Sequence, residues 1–416
     1  MSINEVLKLD EEEESIINDP LINKKIFNRY KILKHIGKGS FGKIYLSKEI
    51  YTNEYYAMKV ENKNIHPNYL KNEAELLLYL NCPKTPAIKT FGYTIDYNIL
   101  IMELLGKSLD YIFENILLKK PMSLRCVCNL GYQLIEILEF IHKKNVIHRD
   151  IKPDNLLMSN KNNKFLYLLD FGLAIKFRES TNSRHFPMKI EKKLIGTVRY
   201  ASVNALNGIT QSRRDDLESV GYVLLYFLKG KLPWQGLMIK NKEKRYQKIM
   251  EIKRDIKMVD LCKGCPEEFQ KYIDYVRNLQ YEEDPDYCML KGLFINILKK
   301  NEFKFDYFYD WDIKNTNIDL NSLKNEKQRN TFNNCKSLNI VNNKKQNNIN
   351  KKLEIFEEEN NLDLPLDKIS YRNKTNKGNK SQDKSTGDGY IEYSEDINNY
   401  NNRDENFIQN RCCLIF

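Results

Sequence analysis

Between residues 30 and 104 the apolar positions fall into short β-prone runs separated by turn-like residues. "YKILKHIG" (30–37), "GKIYLSKEI" (42–50) and "YYAMKV" (55–60) predict an antiparallel meander. A helical run follows at "NYLKNEAELLLYL" (68–80), and then two more strands at "IKTFGYT" (88–94) and "YNILIMEL" (97–104). Beyond these the period lengthens. Ser123 can cap a helix whose apolar residues Leu124, Val127, Leu134, Leu138 and Ile141 recur at spacings of three, four and seven. The pattern predicts an α+β chain with a small strand-rich lobe followed by a larger helical one.

The flanks are built differently. Residues 1–28 include the acidic run "DEEEES" (10–15) and read as a solvated extension. From residue 313 onward, 24 of 104 residues are Asn and no period is sustained. Such a segment buries too little apolar surface to offset its ordering entropy. Residues 313–416 are therefore expected to be a disordered Asn/Lys-rich tail, with "LEIFEEENNLDL" (353–364) at most a short helix or docking motif. The patterned domain spans 29–312.

Charge follows the same division. The net charge of +11 separates into −4 for residues 1–28, +13 for 29–312 and +2 for the tail. A basic domain suits nucleic acid, acidic lipid or an acidic protein equally, so charge does not choose a partner. At 416 residues the core is large enough to be stable without disulfides, and the nine cysteines form no paired framework. The start of the chain has neither a charged-then-apolar leader nor Met-Gly, and no apolar run reaches the length of a membrane span. The expectation is a reduced, cytosol-facing protein.

The chemistry begins at "GKGSFGKI" (37–44), where Gly37, Gly39 and Gly42 form a G-x-G-x-x-G run with Lys38, Ser40, Phe41 and Lys43 between and after them. Glycines let backbone amides approach phosphate oxygens, although a plain hairpin turn has the same look. A dinucleotide site needs a helix after the loop. Here a strand follows, which favours a flap over ATP. "YAMK" (56–59) puts Lys59 on the next strand, within reach of the α- and β-phosphates, and Glu73, inside the predicted helix, can hold it by an ion pair. In "HRDIKPDNLL" (148–157), Asp150 offers a carboxylate to a substrate hydroxyl proton, and Asn155 offers an amide oxygen to Mg²⁺. "LLDFGLA" (168–174) ends a β-prone run in Asp170, a carboxylate placed to bridge Mg²⁺ to phosphate.

With these elements in this order, the sequence resembles the protein kinase superfamily, which implies a bilobal kinase fold and the use of Mg·ATP. Lys59, Asp150 and Asp170 are all present, whereas a kinase-fold scaffold without catalysis usually lacks one of them. Lys152, two residues after Asp150, matches the lysine that contacts the transferred phosphoryl group in serine/threonine kinases. The hinge of the family falls on "NILIMELLG" (98–106). The resemblance puts Met102 at the back pocket, Glu103 and Leu105 beside the adenine edge, and Ile36, Ile44, Ala57 and Leu157 around the ring. It makes Asp216 a brace for the catalytic loop and His148 a packed residue.

Most protein kinases close the activation segment with Ala-Pro-Glu, whose glutamate makes a buried ion pair. This chain has Ser202, Val203 and Asn204 there, followed by "SRRDDLES" and "LPWQGL". That departure resembles the casein kinase 1 family, more closely than the related tubulin-directed or vaccinia-related groups. The family's anion pocket falls on Arg199, Gly230, Lys242 and Arg245, with Arg245 in place of the usual lysine and Met238 and Ile239 in place of smaller or basic residues. A guanidinium at Arg199 can grip phosphate or carboxylate. The resemblance thus implies acidic or already phosphorylated protein substrates, no nucleic-acid partner and a monomer.

Three cysteine pairs remain. "CKGC" (262–265) has zinc-like spacing but no second pair, and "RCVC" (125–128) falls on an apolar helix face, so neither is read as a metal site. Cys413 is fourth from the end of the sequence and is followed by two aliphatic residues and Phe416, a pattern for prenylation, with Cys412 beside it for palmitate. This carries the expectation of a cytoplasmic kinase tethered to a membrane.

Overall fold

The computed structural model describes residues 19–39, 42–64, 68–160, 163–178, 184–190, 194–315 and 389–392, with the side chains of 313–315 and 389–392 excepted. Six strands form the small lobe: β1 (Lys25–Ile26), β2 (Tyr30–Lys38), β3 (Lys43–Glu49), β4 (Tyr55–Asn62), β5 (Ile88–Tyr93) and β6 (Tyr97–Glu103). All pair antiparallel, in the order β1-β2-β3-β4-β6-β5. The meander runs to β4, and then helix α1 (Tyr69–Leu80) carries the chain across the sheet before β5. Consequently β6 slots between β4 and β5. The predicted helix is capped as its sequence requires: Asn68 accepts from Lys71 N at its start, and Asn81 closes it in the left-handed conformation.

One face of the small lobe has its own core of Tyr30, Ile32, Tyr45, Met58, Val60, Ile99 and Ile101. Leu21, Ile26 and Phe27 belong to it as well, so the packed unit begins before residue 29. Asp19 extends this strap. Its carboxylate accepts from Lys43 Nζ at 2.7 Å, Tyr45 Oη at 2.8 Å and Leu21 N at 3.0 Å. Lys43 and Tyr45 reach the same acceptor because residues two apart share a face of β3.

Burial raises the Asp19 carboxyl, but hydrogen bonds from Lys43, Leu21 and Tyr45 outweigh it and hold the group below its ordinary 3.8. Its stabilisation is therefore present above that value and lost as pH falls through the lower folded one. Asp19→Ala is expected to cost about 1–2 kcal/mol in chemical unfolding at neutral pH. An unchanged midpoint would show that the strap contributes nothing.

The large lobe is organised by α2 (Leu124–Lys143) and α3 (Arg213–Lys229). Ser123 caps α2 through Cys126 N, and Val127, Leu134, Leu138 and Ile141 are buried as the spacing predicts. The strongly buried α3 passes through the lobe, with α4 (Lys242–Asp255), α5 (Glu267–Asn278) and α6 (Tyr287–Lys300) completing it. Cys126, Cys128 and Cys262 are buried and Cys265 half-buried in this core. The end of the patterned region is fastened here: Tyr309 stacks on Trp311 at 4.7 Å, and its hydroxyl accepts from Gln133 at 2.6 Å.

A strand at Gly389–Glu392 pairs antiparallel with β5, which the tail's composition does not foretell. The runs at 10–15 and 353–364, Ser40 and Phe41, and Cys412 and Cys413 lie outside the described residues.

Candidate active site

The glycine turn joins β2 to β3 and is pressed close to β4. A Cβ at Gly42 would come within 2.2 Å of Val60 O, so no other residue fits without moving backbone. A Cβ at Gly39 would lie 3.1 Å from Lys59 Cε, which places Gly39 against that lysine. Lys59 Nζ donates to Glu73 Oε2 at 2.6 Å and to Asp170 Oδ1 at 2.7 Å. Burial alone would push the ammonium down, but the two carboxylates hold it protonated, above its ordinary value. Strand β4, helix α1 and the segment after Leu168 are thereby tied at one point.

Asp170 has a left-handed backbone (φ +64°), a strained conformation that its short polar side chain tolerates. Asp150 is buried, with Lys152 Nζ at 2.7 Å from Oδ2 and Thr197 Oγ1 donating to Oδ1 at 2.7 Å. Asn155 Nδ2 donates to Asp150 O at 2.9 Å, which orients the amide with its oxygen as the group left to meet a cation. The loop is braced from α3. Asp216 accepts from His148 N and Arg149 N, both at 2.8 Å, and from His142 Nε2 at 3.0 Å. His148 is fully buried, bonded to Leu169 O at 2.8 Å and edge-on to Phe171.

The following segment is fitted to this loop. Gly196 has φ +101°, and a Cβ there would meet Arg149 O at 2.4 Å. Only glycine lets Thr197 approach Asp150. Ser202 then caps the short helix Val203–Leu206 through Ala205 N and donates to Asp215. Val203 N donates to Glu218 Oε1 at 3.0 Å, and the same oxygen lies 3.4 Å from Arg277 Nε. The carboxylate that Ala-Pro-Glu would supply from the segment itself comes instead from α3.

A family model described as the protein kinase domain matches residues 30–285. The chain belongs to the protein kinase family. It is a phosphotransferase of the kinase fold, with a strand-rich lobe and a helical lobe, and its chemistry uses ATP. Asp170 and Asn155 fit a hard divalent cation: they offer two oxygen donors, so Mg²⁺ held there would take its remaining ligands from phosphate and water.

The segment expected to be the hinge is pinned by Glu103 N to Ala87 O at 2.8 Å and Gly106 N to Met158 O at 2.9 Å. Met102 and Leu105 are buried, while Ile44, Ala57 and Leu157 are half-buried and Ile36 is exposed. Ile36, Ile44, Ala57 and Leu157, the four expected around the adenine ring, are the ones left incompletely covered by protein. The Lys43 ammonium is engaged by Asp19, which leaves its backbone as the part that can face a nucleotide. Gly37 pairs with Ile44 across the hairpin, and Lys38 pairs with Lys43.

The expected anion residues are dispersed over three elements. Arg199 is exposed, 3.5 Å from Tyr200 Oη and over the rings of Tyr200 and Tyr226. Gly230 ends α3 with φ +80°, and Lys242 and Arg245 occupy the first turn of α4. Among the described residues no hydrogen bond joins Arg199 to Lys242 or Arg245, and none of the three is paired with a carboxylate. Sequence reasoning missed Thr197, His142 and the Glu218–Arg277 pair. Only the position of Thr197, beside Gly196 in "GTVRY", carried a local signal.

Proposed function

We propose that this kinase phosphorylates serine and threonine hydroxyls in protein segments that already carry carboxylate or phosphate. The observation that carries the Ser/Thr part is the Asp150 carboxylate with Lys152 Nζ at 2.7 Å and Thr197 Oγ1 at 2.7 Å. In this reading Asp150 accepts and orients the hydroxyl proton, and Lys152 keeps positive charge beside the phosphoryl group in transit. Lys59, fixed by Glu73, binds the α- and β-phosphates, and the glycine turn covers them with Gly37, Gly39 and Gly42. Asp170 and Asn155 hold Mg²⁺. Bound Mg·ATP supplies the γ-phosphoryl group and the cation that neutralises its developing charge.

Substrate choice rests on three cationic groups that make no ion pair with a carboxylate among the described residues, although Asp110 acts on Arg199 from a distance. Arg199, Lys242 and Arg245, with the resemblance of "SRRDDLES" and "LPWQGL" to the casein kinase 1 family, support an anion site beside the target serine. Arg199→Ala is expected to weaken use of a peptide phosphorylated three residues before the serine by roughly 1.5–3 kcal/mol in kcat/KM. A neutral peptide should change much less. Equal losses on both peptides would remove the anion site. The same proposal carries lipid at Cys412 and Cys413, tested separately by membrane fractionation of wild type against the double Ser variant.

A further inference from the structure

Lys253, in the last turn of α4, has no solvent-exposed surface. Its Nζ donates to Val198 O at 3.1 Å and Ala201 O at 2.6 Å. It also lies 4.5 Å from the ring centroid of Tyr222 and 4.7 Å from that of Trp234. Trp234 Nε1 in turn donates to Arg199 O at 2.8 Å. The carbonyls of 198, 199 and 201 are thus all held by side chains of the large lobe. Arg277 donates to Lys253 O and fixes the end of α4 in the same place.

An ammonium without a bonded counter-ion is costly in such a site. Glu218, the carboxylate that acts on it, is engaged by Val203 N, Tyr222 Oη and Arg277. Burial, offset in part by Glu218 and reinforced by Arg277, brings the Lys253 ammonium down to about 7. Two carbonyls and two ring faces offset part of the desolvation. An apolar side chain would fill this space at lower electrostatic cost. What it could not do is hold Val198 and Ala201 by their carbonyls.

We infer that Lys253 is a positioning residue for the protein substrate: its two carbonyl bonds fix the backbone on both sides of Arg199. Because Lys242 and Arg245 lie on the same helix, Lys253 also sets the register between the two halves of the anion site. The inference rests on the reading of Arg199, Lys242 and Arg245 as substrate contacts.

Lys253→Met keeps the apolar stem and removes both donors. The primed-peptide KM is expected to rise about tenfold, the equivalent of one lost hydrogen bond, with the KM for ATP and kcat changing by less than about twofold. Trp234→Phe, which keeps the ring and loses only the indole N–H, should move the same constant in the same direction. A folded Lys253→Met with unchanged primed-peptide KM, or with ATP and peptide KM rising together, would overturn the inference. Should Lys253→Met fail to fold, Trp234→Phe decides alone, and an unchanged primed-peptide KM overturns it. Arg199→Ala, run in parallel, separates the two layers. If it does not distinguish primed from neutral peptide, the anion reading falls; if it does and the other two variants do not, only the role of Lys253 falls.

Discussion

Asp150→Asn is expected to slow phosphoryl transfer by about 10²–10⁴-fold, the range that a positioned general base supplies. The substituted amide keeps the size of the side chain and an oxygen acceptor for Thr197. It loses the negative charge that faces Lys152 at 2.7 Å and the capacity to accept a substrate proton. Nucleotide affinity should be nearly unchanged. The side-chain partners of Asp150 are Lys152, Thr197 and Asn155, and none of them belongs to the glycine turn or to the Lys59 cluster. Single-turnover kinetics with a nucleotide-binding isotherm checks both halves. A variant that keeps full turnover would take Asp150 out of the chemistry.

Lys59→Met should damage both activity and stability, by a different route. Lys59 is bonded to both Glu73 and Asp170, whose side chains are themselves nearly buried. Removing one partner from a buried ion pair typically costs about 3–5 kcal/mol, because the remaining charge keeps its desolvation penalty. Here two carboxylates would be left facing each other. Burial already raises Glu73 above its ordinary 4.5, with Asp170 adding to the rise, and without the ammonium it should rise further and take up a proton on folding.

The pH dependence has a definite sign. In the wild type the Lys59 contribution is fully present below the lysine's ordinary 10.5 and is lost only as pH rises through the higher folded value. In the variant, a raised Glu73 makes the folded state bind more protons than the unfolded one above 4.5, so its stability falls as pH rises from there. Thermal unfolding should therefore show a deficit that shrinks as pH is lowered from neutral towards the carboxylate range. Nucleotide affinity and turnover should fall together. A variant with wild-type Tm at neutral pH would contradict the buried triad.

Much of this site was legible because its parts are short, local and punctuated. Strand, glycine turn and strand mark where a flap is expected, a β-prone run ends in Asp170, and Ser123 marks a helix start that the structure shows. Asp216, expected as a brace for the catalytic loop, bonds His148 N and Arg149 N. What was hidden depends on distant partners. Lys253 reads as one more basic residue of a charged helix until Val198 and Ala201 are brought against it, 55 and 52 residues away. Glu218 reads as a helix glutamate until Arg277 meets it. Leu21, Ile26 and Phe27 follow an acidic run and show no period of their own, although they pack into the small-lobe core. The strand at Gly389–Glu392 is four residues long, too short to show a period against its polar surroundings.

The proposed activity is transfer of the γ-phosphoryl group of ATP to serine and threonine. Incubating the purified protein with γ-labelled ATP, Mg²⁺ and casein, followed by phosphoamino-acid analysis, tests it most directly. Label on phosphoserine and phosphothreonine, absent with Asp150→Asn, is the predicted result; label on phosphotyrosine alone, or none from folded wild type, would contradict it.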